Sequence, residues 1–175
     1  MSRSDEELLS LRSCVSLVRL FHQRIKAPIA ATPQTLKCDP ASALLYAQRL
    51  GELAKDAADA ANGTTDVLLS RLAMTLEEIG EWLAAHANGD VAAAADALGD
   101  RLYLLIGDAV ATGLPLSEIF EAVHRSNLSK LPGVTTGLGK GVKGIDYHRP
   151  DLATLLATLA AGRSPDETDR LLDED

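Results

Sequence analysis

Apolar residues recur along this chain at intervals of three and four, the spacing that lays a stripe down one side of an α-helix. In "SDEELLSLRSCVSLVRLFHQR" the stripe is Leu8, Leu11, Val15, Val18 and Phe21 or His22, and Ser4 with Glu7 has capping-box spacing. A first helix is predicted there. "IKAPIAATPQTLKCDP" has three prolines and no stripe, so it is an arm that ends at Asp39, an N-cap, with Pro40 at the first helical position. The second helix covers 40–61, and "NGTTD" ends it and offers Thr64, Thr65 or Asp66 as the next cap. A third helix is predicted over about 66–87, a fourth from about Asp90 to Ala111, and a fifth from Pro115 to Leu131. The glycine-rich stretch "PGVTTGLGKGVKGIDYHRPD" is a loop or flap, and a last short helix runs from Asp151 to Ala161.

Short connections make neighbouring helices antiparallel, which is the arrangement of a helical bundle. The expected fold is all-α, an antiparallel bundle of four core helices with an extra N-terminal helix and a C-terminal segment. At 175 residues the chain has room for one domain, expected over 1–163, followed by an acidic tail over 164–175.

Charge narrows the possible partners. The formal net charge is -8 without a Lys/Arg cluster, so polymeric nucleic acid is repelled. A small phosphorylated substrate remains open, because a bound divalent cation reverses the sign of an acidic site. Cys14 and Cys38 lack metal or CxxC spacing and fit a reduced cytosol, and no leader or membrane-length apolar run is seen; a cytoplasmic protein is expected.

The third helix raises the sharpest question. Leu69, Leu72, Leu76, Ile79 and Leu83 form the expected core stripe, while Glu77, Glu78 and Glu81 lie off it. A solvated face is the plain reading. Against it, Met74 and Ala85 border the acids instead of Lys or Arg, and each like-charge pair at helical spacing costs about 0.2–0.5 kcal/mol. In the fourth helix Asp96, Asp100, Tyr103 and Gly107 share one stripe, opposite Leu98, Leu102, Leu105 and Ala109. Carboxylates on two adjacent helices make a hard-oxygen cage suited to Mg²⁺ or Mn²⁺. Spacing alone leaves both readings open.

"EEIGE", "DALGDRLYLLIG" and "VHRSNLSK", in that order on successive helices, resemble the signature helices of MazG-like all-α nucleoside triphosphate pyrophosphohydrolases. "LVRLFHQRIKAPIAATPQTL" and "KGIDYHRPDL" are similar to that family's first helix with its arm and to its C-terminal KGxDYxxPDL segment. The resemblance spans about residues 17–160. It implies Mg²⁺-dependent cleavage between the α- and β-phosphates of a nucleoside triphosphate such as dUTP, giving a monophosphate and pyrophosphate.

By position, the resemblance makes Glu78, Glu81 and Asp100 metal ligands and Glu77 the residue that activates water. It assigns Asn127 and Lys130 to the nucleotide or its phosphates, with Lys143, Asp146 and Tyr147 in the closing segment. The chain departs from the pattern at Ala97, where an acid is expected; Asp96 is the neighbour able to substitute. The 40–61 helix looks like an insertion. Gly80 and Gly99, which each weaken a helix by roughly 1 kcal/mol, either admit a ligand or serve packing, and packing is the favoured reading.

Two alternatives accompany this expectation: a phosphoribosyl-ATP pyrophosphohydrolase of the same fold, and an inactive helical interaction module of which Ala97 is the trace. Small-residue faces suggest a homodimer or homotetramer. No Walker loop or GxSxG is present, the four histidines lack metal spacing, and His124, Trp82 and Tyr103 read as packing residues.

Overall fold

Side chains that hydrogen-bond forward into the backbone mark where the helices begin. In the computed structural model, which describes residues 10–137 and 139–161, Asp39, Asp66, Asp90 and Asp151 each accept a bond from the backbone N–H three residues ahead. The helices are α1 (Leu11–Ile25), α2 (Pro40–Ala61), α3 (Val67–Ala87), α4 (Val91–Thr112), α5 (Leu116–Leu128) and α6 (Leu152–Ala160). No strand occurs among the described residues, and one isolated bridge joins Thr135 to Gly141. The fold is all-α, as the spacing predicts. The Ser4–Glu7 capping box and the 164–175 tail lie outside the described residues.

Two boundaries differ from expectation. Ser10 is the N-cap of α1, its hydroxyl accepting from the Ser13 N–H. Helix α5 stops three residues before Leu131, because the Ser129 hydroxyl donates to Ser126 O and the Leu131 N–H is taken by Val142 O at 2.8 Å.

The helices group into two compact units. In Ala30–Leu114, α3 packs against both α2 and α4. Arg71 reaches Leu104 and Asp108 while Trp82 meets Arg101, so α3 and α4 run antiparallel. The other unit, Met1–Ile29 with Pro115–Asp175, contains α1, α5 and α6, and α5 packs against both of the others.

The seam of the α2–α3–α4 unit is built from small residues: Ala43, Ala54, Ala57 and Ala61 on α2, Ala73, Gly80 and Ala85 on α3, Ala94 and Ala97 on α4. This corrects the expected core stripe of the third helix. Leu72 is 41% exposed, and Leu69, Leu76, Ile79 and Leu83 are only half-buried flanks. The cause is close backbone approach, which small side chains permit and leucine prevents. On α4 the inward positions are likewise Ala94 and Ala97, while Leu98, Tyr103 and Leu105 are exposed.

The two glycines flanking the acidic residues differ. A Cβ on Gly80 would lie 3.3 Å from Ala47 O on α2, whereas one on Gly99 would meet nothing within 4 Å. Gly80 is therefore a packing glycine, and the packing reading is incorrect for Gly99, which stands in open space. We expect Gly99→Ala to raise unfolding free energy by about 0.5–1 kcal/mol from backbone entropy, and Gly80→Ala to lower it by forcing α2 away. Chemical denaturation of both variants checks this; equal shifts would contradict it.

Candidate functional site

Glu78 is where the acidic residues of the α2–α3–α4 unit converge. Its Oε2 is buried and has no hydrogen-bond partner. Burial pushes the Glu78 carboxyl above its ordinary value of 4.5, and Glu81, Asp100, Glu77 and Asp96 push it further in the same direction. The other four acids singled out in the sequence, on α3 and α4, thus each lie within electrostatic reach of Glu78. Glu78 is half-buried, and the other four are exposed.

Among the described residues no ion pair involves any of the five. The one ion pair among the described residues joins Arg71 to Asp108, and the second bond of Arg71, from Nη2 to Leu104 O at 2.8 Å, commits the rest of its guanidinium to α4. Arg101, beside Asp100 in sequence, places its guanidinium 4.7 Å over the Trp82 ring. Trp82 in turn meets His86 edge to face, and the His86 Nδ1 accepts from the Leu36 N–H of the arm at 3.1 Å. Trp82, read from the sequence as a packing residue, and the Arg71–Asp108 clamp thus tie the acidic segment of α3 to α4.

The position where the resembled family carries its remaining acid is Ala97, which is 2% exposed in the helix seam. Asp96 points outward beside it and is the last of the four acids acting on Glu78. As the side chains lie, no three His, Cys, Asp or Glu among the described residues form a group that could hold a metal ion. The acids are assembled on one surface, but their oxygens are not drawn to a common point. Their chemistry fits a hard divalent ion: oxygen donors only, one of them a desolvated oxygen lacking any partner, with uncompensated repulsion among them.

The unit containing α1, α5 and α6 carries a second cluster of opposite character. Lys130 Nζ donates to Asn127 Oδ1 at 2.8 Å and stands 5.7 Å from the centre of the Phe21 ring. Lys143 Nζ lies 4.5 Å over the Tyr147 ring. The polar neighbour Ser126 holds the Tyr147 phenol below its ordinary value, desolvation opposes it, and Lys143 and Lys130 act in the same direction as Ser126. Four of the five predicted substrate residues are therefore together. Asp146 is exposed and makes none of these contacts.

Sequence reasoning assigned no role to Ser126, Ser129, Arg71 or Asp108. The two serines stand inside the quoted "VHRSNLSK" stretch, and their helical spacing was the available signal. Arg71 and Asp108 are 37 residues apart, and only Gly107, where a Cβ would come within 2.8 Å of Arg71 Nη2, hints at the approach. His124 is buried and stacked on Phe120, with its Nε2 buried and unpartnered.

Residues 62–127 match the family described as phosphoribosyl-ATP pyrophosphohydrolase. The match runs through α3, α4 and most of α5 and places this stretch in the MazG-like all-α pyrophosphohydrolase superfamily, in agreement with the resemblance. It supports an activity of the nucleotide pyrophosphohydrolase type. No curated protein and no solved structure matches the chain. Among the described residues no single helix is long and apolar enough to cross a membrane.

Proposed function

We propose that the chain is a Mg²⁺-dependent nucleoside triphosphate pyrophosphohydrolase that cleaves the α–β phosphoanhydride of a (d)NTP such as dUTP. The observation that carries this reading is Glu78: a carboxylate with an orphaned, buried oxygen, crowded by four other acids within the family-matched residues. A helix that keeps such a group without a cation is arranged for a charge that arrives with the ligand.

Glu78, Glu81 and Asp100, with Asp96 in place of the acid absent at Ala97, would hold the ion. When bound, Mg²⁺ or Mn²⁺ supplies charge neutralisation on the phosphates and acidifies water. Glu77, exposed on the same helix, accepts the proton of the attacking water. The bond formed is water oxygen to phosphorus, and the bond broken is the α–β bridge, releasing monophosphate and pyrophosphate. Lys130, Lys143 and Tyr147 offer an anion-binding face for phosphate oxygens, and Asn127 reads the base or sugar. Asp146 closes the same segment.

Exposed apolar side chains on α2 and α4, among them Leu45, Tyr46, Leu53, Leu98, Leu105 and Val110, suit burial against a second copy, so the expected assembly is a homodimer or homotetramer. The description of the matched family favours one second reading, phosphoribosyl-ATP as the substrate. Incubation with a panel of triphosphates and with phosphoribosyl-ATP, each with Mg²⁺ or Mn²⁺, separates the two by which substrate releases pyrophosphate. Inactivity on every substrate with both ions would leave the interaction module, consistent with Ala97 lying in the seam.

A further inference from the structure

Segment 141–148 is tied at one end to Leu131, just beyond α5, and at the other to the last turn of α5. At one end Val142 O accepts from the Leu131 N–H at 2.8 Å, and Gly144 lies so close to Leu131 that a Cβ would fall 2.5 Å from its Cδ2. At the other end the backbone of His148 is held on both sides. Its carbonyl accepts from the Ser126 hydroxyl at 2.8 Å, and its N–H donates to the Ser129 hydroxyl at 3.2 Å. The Ser129 hydroxyl donates its own hydrogen to Ser126 O at 2.7 Å, which aims its lone pairs at His148. Ser126 is 4% exposed, so its hydroxyl has no water to fall back on.

We infer that Ser126 and Ser129 are positioning residues: by pinning the two backbone groups of His148, they hold Lys143 and Tyr147 beside Lys130 as a preformed face for phosphate oxygens. A glycine-rich loop loses much entropy when it orders on binding, and fixing its end in advance removes that cost from the ligand. Serines one helical turn apart suit this because both hydroxyls emerge on the same side of α5. Their importance for turnover rests on the proposed activity; their hold on the segment does not.

Two readouts test the hold without any substrate. Tyr147 is titrated by ultraviolet absorbance in a Tyr46→Phe, Tyr103→Phe background, where it is the remaining tyrosine. Adding Ser126→Ala is expected to move its midpoint upward toward the ordinary value of 10.0, because a released segment carries the phenol away from the Lys130 charge that helps to lower it. Ser129→Ala, at a less buried position, is expected to speed hydrogen exchange at the His148 amide by about tenfold or more, with Ser129→Thr restoring protection. An unmoved phenol midpoint together with unmoved exchange would overturn the inference.

Two further readouts test the consequence. Either alanine variant should weaken binding of inorganic pyrophosphate, and raise KM for the triphosphate, by about tenfold, the upper end of the effect of one lost neutral hydrogen bond, with kcat changed less than about twofold. A fall in kcat at constant KM and constant pyrophosphate affinity would overturn the positioning role. If the parent protein turns over no triphosphate, the proposed function fails, while titration, exchange and pyrophosphate binding still decide the serines.

Discussion

Glu78→Gln is expected to lower metal-dependent pyrophosphate release by on the order of a hundredfold or more while leaving the helices intact. Glutamine keeps the shape of the side chain and the packing of its half-buried stem, so the change removes charge and one anionic donor and little else. The same substitution relieves Glu78 of its repulsion with Glu77, Glu81, Asp96 and Asp100. Thermal stability without metal should therefore rise slightly, by a few tenths of a kcal/mol for each helical pair relieved. Loss of turnover with gain of stability is the signature of a site maintained for a ligand; a surface acid would lose neither, and a structural one would lose both. Asp100→Asn should behave alike. Circular dichroism establishes the fold, and pyrophosphate release the activity. A Glu78→Gln protein with full turnover would end the metal reading of these helices.

The elements were more legible in the sequence than the faces they bury. Asp39 before Pro40 caps its helix as expected, Asp66 caps as one of the three candidates in "NGTTD", and Asp90, expected at the start of the fourth helix, is its cap; these signals are local because a cap involves only residues three apart. Which side of a helix faces inward depends on distant partners. In α3 the hydrophobic periodicity pointed to leucines, yet the tightest contact goes through Gly80 against Ala47, a preference for backbone proximity that hydropathy does not encode. The grouping of the acids was readable for the opposite reason. Glu77, Glu78 and Glu81 are fixed relative to one another by helix geometry, and only the register of α4 against α3 had to be right to add Asp96 and Asp100. The Arg71–Asp108 pair supports that register and joins positions no local rule connects. Ser126 and Ser129 were in plain view within a recognised stretch, but their acceptor and donor belong to the backbone of His148, which a sequence motif does not reveal.

Stability of the metal-free protein should fall as pH rises above about 4.5, and saturating Mg²⁺ should invert that slope. Glu78 keeps its proton to higher pH in the folded chain than in the unfolded one, where its ordinary value is 4.5. Below 4.5 both states are protonated and the group is neutral toward folding. As pH climbs through the window between 4.5 and the raised folded value, the unfolded state ionises first and gains, so the folded state loses stability. Asp39 and Asp151 work the other way, since capping bonds from Ser42 and Thr154 lower their folded values below 3.8, and their contribution disappears only as pH falls below that value. The two windows do not overlap, and melting in chelator between pH 4.5 and 7.5 isolates the Glu78 contribution from these caps. A divalent ion binds the ionised carboxylate and competes with the proton, so with Mg²⁺ present acidification expels the ion and destabilises the fold. At a hundred times its dissociation constant the ion adds about 2.7 kcal/mol, a rise of about 5–10 °C in Tm at neutral pH. In Glu78→Gln the chelator slope should flatten and most of the Mg²⁺ rise should vanish. Identical pH slopes with and without Mg²⁺ would mean that the crowded carboxylates bind no ion, and the orphaned oxygen of Glu78 would then need a partner of another kind.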